Sequence, residues 1–189
     1  MFESLDRFDL VIACDGEGGI GKKNNLPWRL PGDVKHFRTL TSTVSELQPA
    51  GIFNAVIMGR KTWESLPQRF QPLPNRINVV LTRDRSYRVP AGALAATSLD
   101  EALEKLTSMP CHRVFVIGGA AVLADAMKHE RCGLLYLTEI AQVFDCDVFL
   151  PSIHERFHLV SAGESRLENG IEYAINVYAP SKKPLEETS

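Results

Sequence analysis

Apolar residues along this chain gather in short runs set between polar stretches rich in glycine and proline. Phe8-Asp9-Leu10-Val11-Ile12-Ala13-Cys14 is rich in strand formers and predicts a central strand. Ala55-Val56-Ile57-Met58, Ile77-Asn78-Val79-Val80-Leu81, Arg113-Val114-Phe115-Val116-Ile117 and Leu134-Leu135-Tyr136-Leu137-Thr138-Glu139-Ile140 predict further buried strands. Between them the period lengthens. From Pro31 onward, Val34, Phe37 and Leu40 or Thr41 recur at helical spacing, with proline placed for the first turn. Ser98-Leu99-Asp100-Glu101 is a capping box that opens a helix whose apolar stripe is Leu99, Ala102, Leu103 and Leu106. Trp63 to Leu66 and Ala120 to Met127 supply two more helical runs. Residues 157–162 and 171–179 alternate well enough to predict two antiparallel strands at one edge. Strands alternating with helices make this an α/β chain.

Composition narrows the picture. With 189 residues, 44% of them hydrophobic, the chain fills one core, so residues 1–180 are expected to form one domain and 181–189 a polar tail or linker stub. A formal charge of -2 gives no general attraction to nucleic acid or anionic lipid, so any anion site must come from local basic residues. No apolar run approaches the ~18–20 residues that span a bilayer. Met1-Phe2-Glu3-Ser4-Leu5-Asp6 lacks the order of a signal peptide, and a cytoplasmic protein is expected. Cys14, Cys111, Cys132 and Cys146 are spread without a Cys-x-x-Cys pair, so free thiols are expected and no metal site.

Candidate chemistry centres on the loop Leu26-Pro27-Trp28-Arg29-Leu30-Pro31-Gly32-Asp33, which delivers an acidic residue into the start of a helix. Asp33 precedes Phe37 by one helical turn, so its carboxylate shares an apolar edge with an aromatic ring, where lost hydration raises its pKa. An acidic residue complementing the helix dipole, with a lowered pKa, is the competing reading. Gly16-Glu17-Gly18-Gly19-Ile20-Gly21 satisfies G-x-G-x-x-G, yet the text after it carries two asparagines and a proline rather than a helical period. It reads as a flexible loop able to close over a ligand. Gly59-Arg60-Lys61-Thr62 between a strand and a helix has the layout of a phosphate site, or of a solvated basic turn. Thr82 and Arg83 repeat the hydroxyl and arginine at the carboxyl end of a second strand, after Leu81, where open α/β sheets bind ligands. Gly118-Gly119 joins a strand to a helix with no side chain to block a ligand, and Thr138 places a hydroxyl past the apolar part of its strand.

In order and spacing, Gly19-Ile20-Gly21, Leu26-Pro27-Trp28, Asp33 with Phe37, the run from Val56 to Trp63, Arg69 through Leu81, Val116-Ile117-Gly118-Gly119 and Tyr136-Leu137-Thr138 resemble dihydrofolate reductase from Phe8 to about Ala179. The eukaryotic type is the nearest in character, including the reductase portion of protist and plant bifunctional reductase–thymidylate synthases. The resemblance implies a central, mostly parallel eight-stranded sheet with flanking helices and an antiparallel C-terminal edge. It implies hydride transfer from NADPH to C6 of dihydrofolate, antifolate inhibitors as ligands, and a thymidylate synthase domain as partner if the chain is a fragment. By the same resemblance, Asp33 binds the pteridine and supports protonation at N5 through water, Thr138 bonds to Asp33, and Trp28 orders water nearby. Val11, Ala13, Val34, Phe37, Leu66 and Ile117 line the folate and nicotinamide pocket, and Arg76 pairs with the α-carboxylate of the glutamate tail. Arg60, Lys61, Thr62, Thr82 and Arg83 match the positions that hold the cofactor phosphates, and Gly59 and Leu81 bind the cofactor beside them. Gly118-Gly119 matches a cis peptide beside the nicotinamide, followed by Ala120, Ala121, Val122 and Leu123. Ala13 and Ile20 offer backbone groups to the carboxamide.

Leu123 stands where that family usually carries a tyrosine, which bears on how the nicotinamide is positioned. Two other readings share these residues. A reductase of the riboflavin pathway has this fold type but acts on a phosphorylated ribosylamino-pyrimidine, against which Arg76 after Pro72-Leu73-Pro74 speaks. A pteridine- or RNA-binding module descended from a reductase is the non-enzyme alternative, and the net charge argues against RNA.

Overall fold

A computed structural model of the protein describes residues 5–181. The expected tail therefore lies, apart from Ser181, outside the described residues. Strand β1 (Phe8–Cys14) occupies the middle of a sheet ordered β10-β11-β7-β1-β6-β3-β4-β5. These strands are β3 (Phe53–Gly59), β4 (Arg76–Leu81), β5 (Ala93–Ala96), β6 (Cys111–Val116), β7 (Cys132–Ile140), β10 (Arg166–Glu168) and β11 (Ile171–Pro180). From β7 to β5 all neighbours run parallel, and β11 runs antiparallel to β7. Strand β9 (Phe157–Ser161) shares the outer edge of β11 with β10, which brings the sheet to nine strands. The expected mostly parallel sheet of eight strands with an antiparallel edge is present, extended by that short ninth strand.

The apolar runs are continuous because both faces of the sheet are covered. Along β3, Ala55 and Ile57 point into one core cluster while Val56 and Met58 point into the other. Strand β6 and the residue after it repeat the alternation, with Val114 and Val116 on the first face and Phe115 and Ile117 on the second. Helices α3 (Leu99–Thr107) and α4 (Ala120–Ala126) cover the first face. The second is packed by Phe37 and Leu40 of α1 (Pro31–Ser42) and by Trp63 of α2 (Arg60–Ser65). The Ser98 hydroxyl caps α3 by accepting the Glu101 N–H at 3.1 Å, but the Glu101 carboxylate turns to Thr97 instead of closing the box on Ser98.

Four short strands went unforeseen. Ala93-Leu94-Ala95-Ala96 carries mostly alanine, a weak strand former, and becomes β5 through its parallel pairing with β4. Strand β2 (Gly19–Gly21) pairs with β8 (Val148–Phe149), so the glycine stretch is extended and no helix follows it, as the reading against a dinucleotide fingerprint requires. Strand β10 turns into β11 through Asn169-Gly170, both at positive φ, the dipeptide favoured by tight hairpins. Described cysteines are all free, and Cys14, Cys111 and Cys132 are buried.

Candidate active site

Asp33 sits in the first turn of α1, and its carboxylate accepts a 2.6 Å hydrogen bond from the Thr138 hydroxyl. The two residues are 105 positions apart in sequence. Thr138 is buried at the register position between Ala13 of β1 and Ile175 of β11, so the sheet fixes where its hydroxyl points. Burial pushes the Asp33 pKa up. The Thr138 bond and the nearby His36 oppose that rise, and Glu168 adds to it. Desolvation therefore outweighs the helix-dipole reading that competed with it in the sequence. Trp28 packs with Leu30, Ile140 and Tyr173 and meets the Phe144 ring at 5.5 Å between centroids. Its indole Nε1 is buried without an acceptor among the described protein atoms, leaving a donor for solvent or ligand.

A second polar group lies further along α1. Arg76, at the start of β4, is 9% exposed, donates to the Thr41 hydroxyl at 2.8 Å and to the Pro74 carbonyl at 3.0 Å, and lies 5.7 Å from the centre of the Phe37 ring. Burial, with Arg38 adding repulsion, lowers its pKa to about 10, so it remains charged at neutral pH. Asn78 holds the preceding proline loop through Leu73 N–H and the Leu73 and Arg76 carbonyls. Thr41, Asn78 and the cis Gln71-Pro72 bond are the supports that the sequence did not disclose. Val11, Phe37, Leu66 and Ile117 belong to the same core cluster on this face. Val34 is 60% exposed, because α1 turns only part of its apolar stripe to the sheet.

At the carboxyl ends of β3 and β6, Gly59, Gly118 and Gly119 converge, and the Gly118-Gly119 peptide is cis. Gly59 N–H donates to the Gly118 carbonyl at 2.8 Å. A Cβ at Gly119 would lie 3.2 Å from the Thr62 hydroxyl, and one at Gly59 would lie 3.1 Å from Val122. Only glycine leaves the backbone open there. Arg60 is half-buried beside Glu64 at 3.7 Å and Asp84 at 3.6 Å, with its guanidinium 5.4 Å from the centre of the Tyr87 ring. Lys61 and Arg83 are exposed, and Thr62 and Thr82 are partly so. Basic groups thus flank the glycine opening from β3 and β4.

The glycine loop, expected to be flexible, is tied down. The buried Asp15 carboxylate accepts N–H groups from Gly19 at 2.7 Å, Glu17 at 3.0 Å and Phe144 at 2.9 Å. Burial would raise the Asp15 pKa, but these backbone donors prevail and hold it below the usual carboxylate range. Lys22 pairs with Asp145, and Gly18 accepts from Leu150 N–H at 2.8 Å. Asp15 was not foreseen because its distant donor, Phe144 N–H, lies 129 residues along the chain in loop text with no motif.

The family model of dihydrofolate reductase matches residues 7–180. The chain belongs to the dihydrofolate reductase family. It is 41% identical to a dihydrofolate reductase of Aedes albopictus, covering 92% of this chain and 97% of that protein. It is 42% identical to a dihydrofolate reductase of Heliothis virescens, covering 89% and 94%. A bifunctional dihydrofolate reductase-thymidylate synthase of Arabidopsis thaliana is 38% identical over 96% of this chain, which spans 36% of that protein. Membership makes this an oxidoreductase. Among the described residues, no helix is long and apolar enough to cross a membrane.

Most of the expected reductase residues meet in two groups. Asp33 meets Thr138 and Phe37 lies beside Arg76 along α1 and the strands next to it, Trp28 packs with Leu30 just before that helix, and the glycines cluster with Thr62 and Val122 at the strand ends. Ile20 is buried in the first core cluster. Ala120 and Leu81 pack against that cluster too, while Ala121 is exposed. Leu123 is the residue that departs from expectation: it has no exposed surface and is core. The helical turn after Gly119 sends Val122 toward Gly59 and Leu123 into the sheet.

Proposed function

We propose that the chain reduces 7,8-dihydrofolate to 5,6,7,8-tetrahydrofolate with NADPH as reductant. The observation that carries this reading is the Asp33–Thr138 pair, a half-buried, partly desolvated carboxylate fixed in orientation by a buried hydroxyl from the sheet. Asp33 and Thr138 orient the pteridine, and Asp33 supports the arrival of a solvent proton at N5. Its raised pKa brings the carboxyl closer to the pH at which a proton is exchanged. Trp28 offers its free indole donor to the water on that route. Arg76, oriented by Thr41, takes the α-carboxylate of the glutamate tail with two parallel donors. This favours a folate over the phosphorylated substrate of a riboflavin-pathway reductase.

The residues fit a dinucleotide cofactor. The glycine opening at Gly59, Gly118 and Gly119 leaves backbone groups reachable, and Arg60, Lys61, Thr62, Thr82 and Arg83 supply charge and donors for phosphates. NADPH, when bound, supplies the hydride that reaches C6. Ala13, Ile20 and Val122 position its nicotinamide end, and the Asp15-tied loop shields that end from water. Residues 1–180 form the reductase unit, acting in the cytoplasm, and antifolates compete for the Asp33 site. A thymidylate synthase domain is the partner if the chain is part of a bifunctional protein.

The test is Asp33→Asn. It should fold and bind NADPH, yet lose at least a hundredfold in turnover of dihydrofolate at neutral pH and regain part of it in acid, in line with the usual worth of acid–base groups of about 10²–10⁴. Turnover near that of the parent at neutral pH would remove Asp33 from the reaction.

A further inference from the structure

The start of α1 has no cap of its own. Leu30 stands at the N-cap position and makes no side-chain cap, although free N–H groups at a helix start need acceptors. The acceptor comes from far along the chain. Gly32 N–H donates at 2.8 Å to the carboxylate of Glu168, 136 residues later at the end of β10. The same oxygen accepts from the Tyr173 hydroxyl at 3.4 Å, and Tyr173 is 3% exposed. A Cβ on Gly32 would strike the Tyr173 hydroxyl oxygen and lie 3.1 Å from Glu168, so the glycine admits the contact. The Asn169 side chain adds a bond of 3.0 Å to the Arg29 carbonyl, and Gln142 bonds to Gly170 O at 2.9 Å. The tip of the β10–β11 hairpin is thereby seated on the turn that carries Asp33.

We propose that Glu168 is a positioning residue for Asp33: from the β10–β11 hairpin it caps α1 through Gly32, fixes the turn bearing the catalytic carboxylate, and sets a negative charge behind it. The proposal rests on the reading of Asp33 as the carboxylate that supports protonation. Other groups around Asp33 are His36 of α1, Thr138 of β7, Tyr173 of β11 and Arg166 of β10, which acts on His36 and Tyr173. His36 is held mainly by burial below its ordinary pKa, with Arg166 adding to this and Asp33 opposing it. Its Nε2 is buried without a partner among the described residues. The cation that would offset Asp33 is thus suppressed, while Glu168 adds to the larger effect of burial in raising Asp33. A carboxylate that retains a proton more readily is what the reduction needs.

The test reads the Asp33 carboxyl directly by carbon-13 NMR titration, with the Asp33→Asn spectrum identifying its resonance. Glu168→Gln keeps size and an acceptor oxygen but removes the charge. The Asp33 midpoint should fall by roughly 0.5 pH unit, and the alkaline limb of kcat/KM for dihydrofolate should move down with it. Glu168→Asp keeps the charge but is too short for Gly32, so the midpoint should stay raised while the Gly32 amide exchanges faster with solvent. Tyr173→Phe should leave the midpoint in place. An Asp33 midpoint unmoved by Glu168→Gln overturns the proposal, as does a Gly32 amide equally protected in all three variants. A midpoint that moves in a protein with no dihydrofolate reduction sinks the proposed activity and leaves the role of Glu168 standing.

Discussion

Thr41→Val isolates the support of the arginine that is expected to hold the folate tail. The Thr41 hydroxyl is fully buried, accepts from Arg76 Nη1 at 2.8 Å and donates to the Phe37 carbonyl at 2.7 Å. Valine has nearly the same shape, so the packing of α1 on β3 and β4 survives while the guanidinium loses an acceptor. Phe37 O retains its place in the helix ladder, so that loss is small. A hydrogen bond to a charged group contributes roughly 1.5–3 kcal/mol, and the guanidinium here is too enclosed for water to replace the hydroxyl freely. If half of that is felt in the orientation of Arg76, dihydrofolate affinity should fall about fourfold to twelvefold, since about 1.4 kcal/mol is one decade. Stability should fall as well, by about 2–4 °C in Tm for each kcal/mol in a chain of this size. Fluorescence titration would measure dihydrofolate, NADPH and a pteridine lacking the glutamate tail. Only the first should weaken, and Thr41→Ser should behave like the parent. Equal weakening of all three ligands, or no weakening of dihydrofolate, would refute the claim that Thr41 orients Arg76 for a carboxylate.

Because the folded protein raises the Asp33 pKa, the native state binds a proton there that the unfolded chain has already released. Stability is therefore lost as pH rises through the folded pKa, and Asp33→Asn should unfold at higher denaturant than the parent at neutral pH, with the gap closing in acid; an unchanged or lower midpoint would contradict this. Arg83→Ala should narrow the preference for NADPH over NADH by about tenfold in kcat/KM, as expected for one charge-assisted contact to a 2′-phosphate; an unaltered ratio would place that phosphate elsewhere. Leu123→Tyr, at a site with no exposed surface, should destabilise the protein by ~1–3 kcal/mol through overpacking, whereas a stable variant with faster single-turnover reduction would show the ring reaching the nicotinamide.

Strand and helix identities were legible along the chain because they follow from local period. Val56 and Met58 against Ala55 and Ile57, or the stripe through Leu103 and Leu106, are one-dimensional patterns that each face of the sheet reads directly. Pro31 and the capping Ser98 are equally local, since their backbone geometry or capping bonds involve near neighbours. Asp33 could be singled out from its place in an apolar stripe, but whether burial or the helix dipole set its proton affinity depended on how far the folded chain covers the carboxylate, against which the Thr138 bond, brought there by the pairing of β7 with β1, works in the opposite direction. Glu168 under Gly32, Thr41 under Arg76 and Asp15 under Phe144 lie further out of reach. A hydrogen bond between residues far apart in sequence leaves no period in either segment, and a single Glu, Thr or Asp in polar text resembles any other solvated side chain. Asn169-Gly170 forms a tight turn, and only the folded hairpin placed that turn on α1. Leu123 makes the same point from the core side. Its spacing after Gly119 left two faces open, and the packing of α4 on the sheet gave one to Val122 and buried the other.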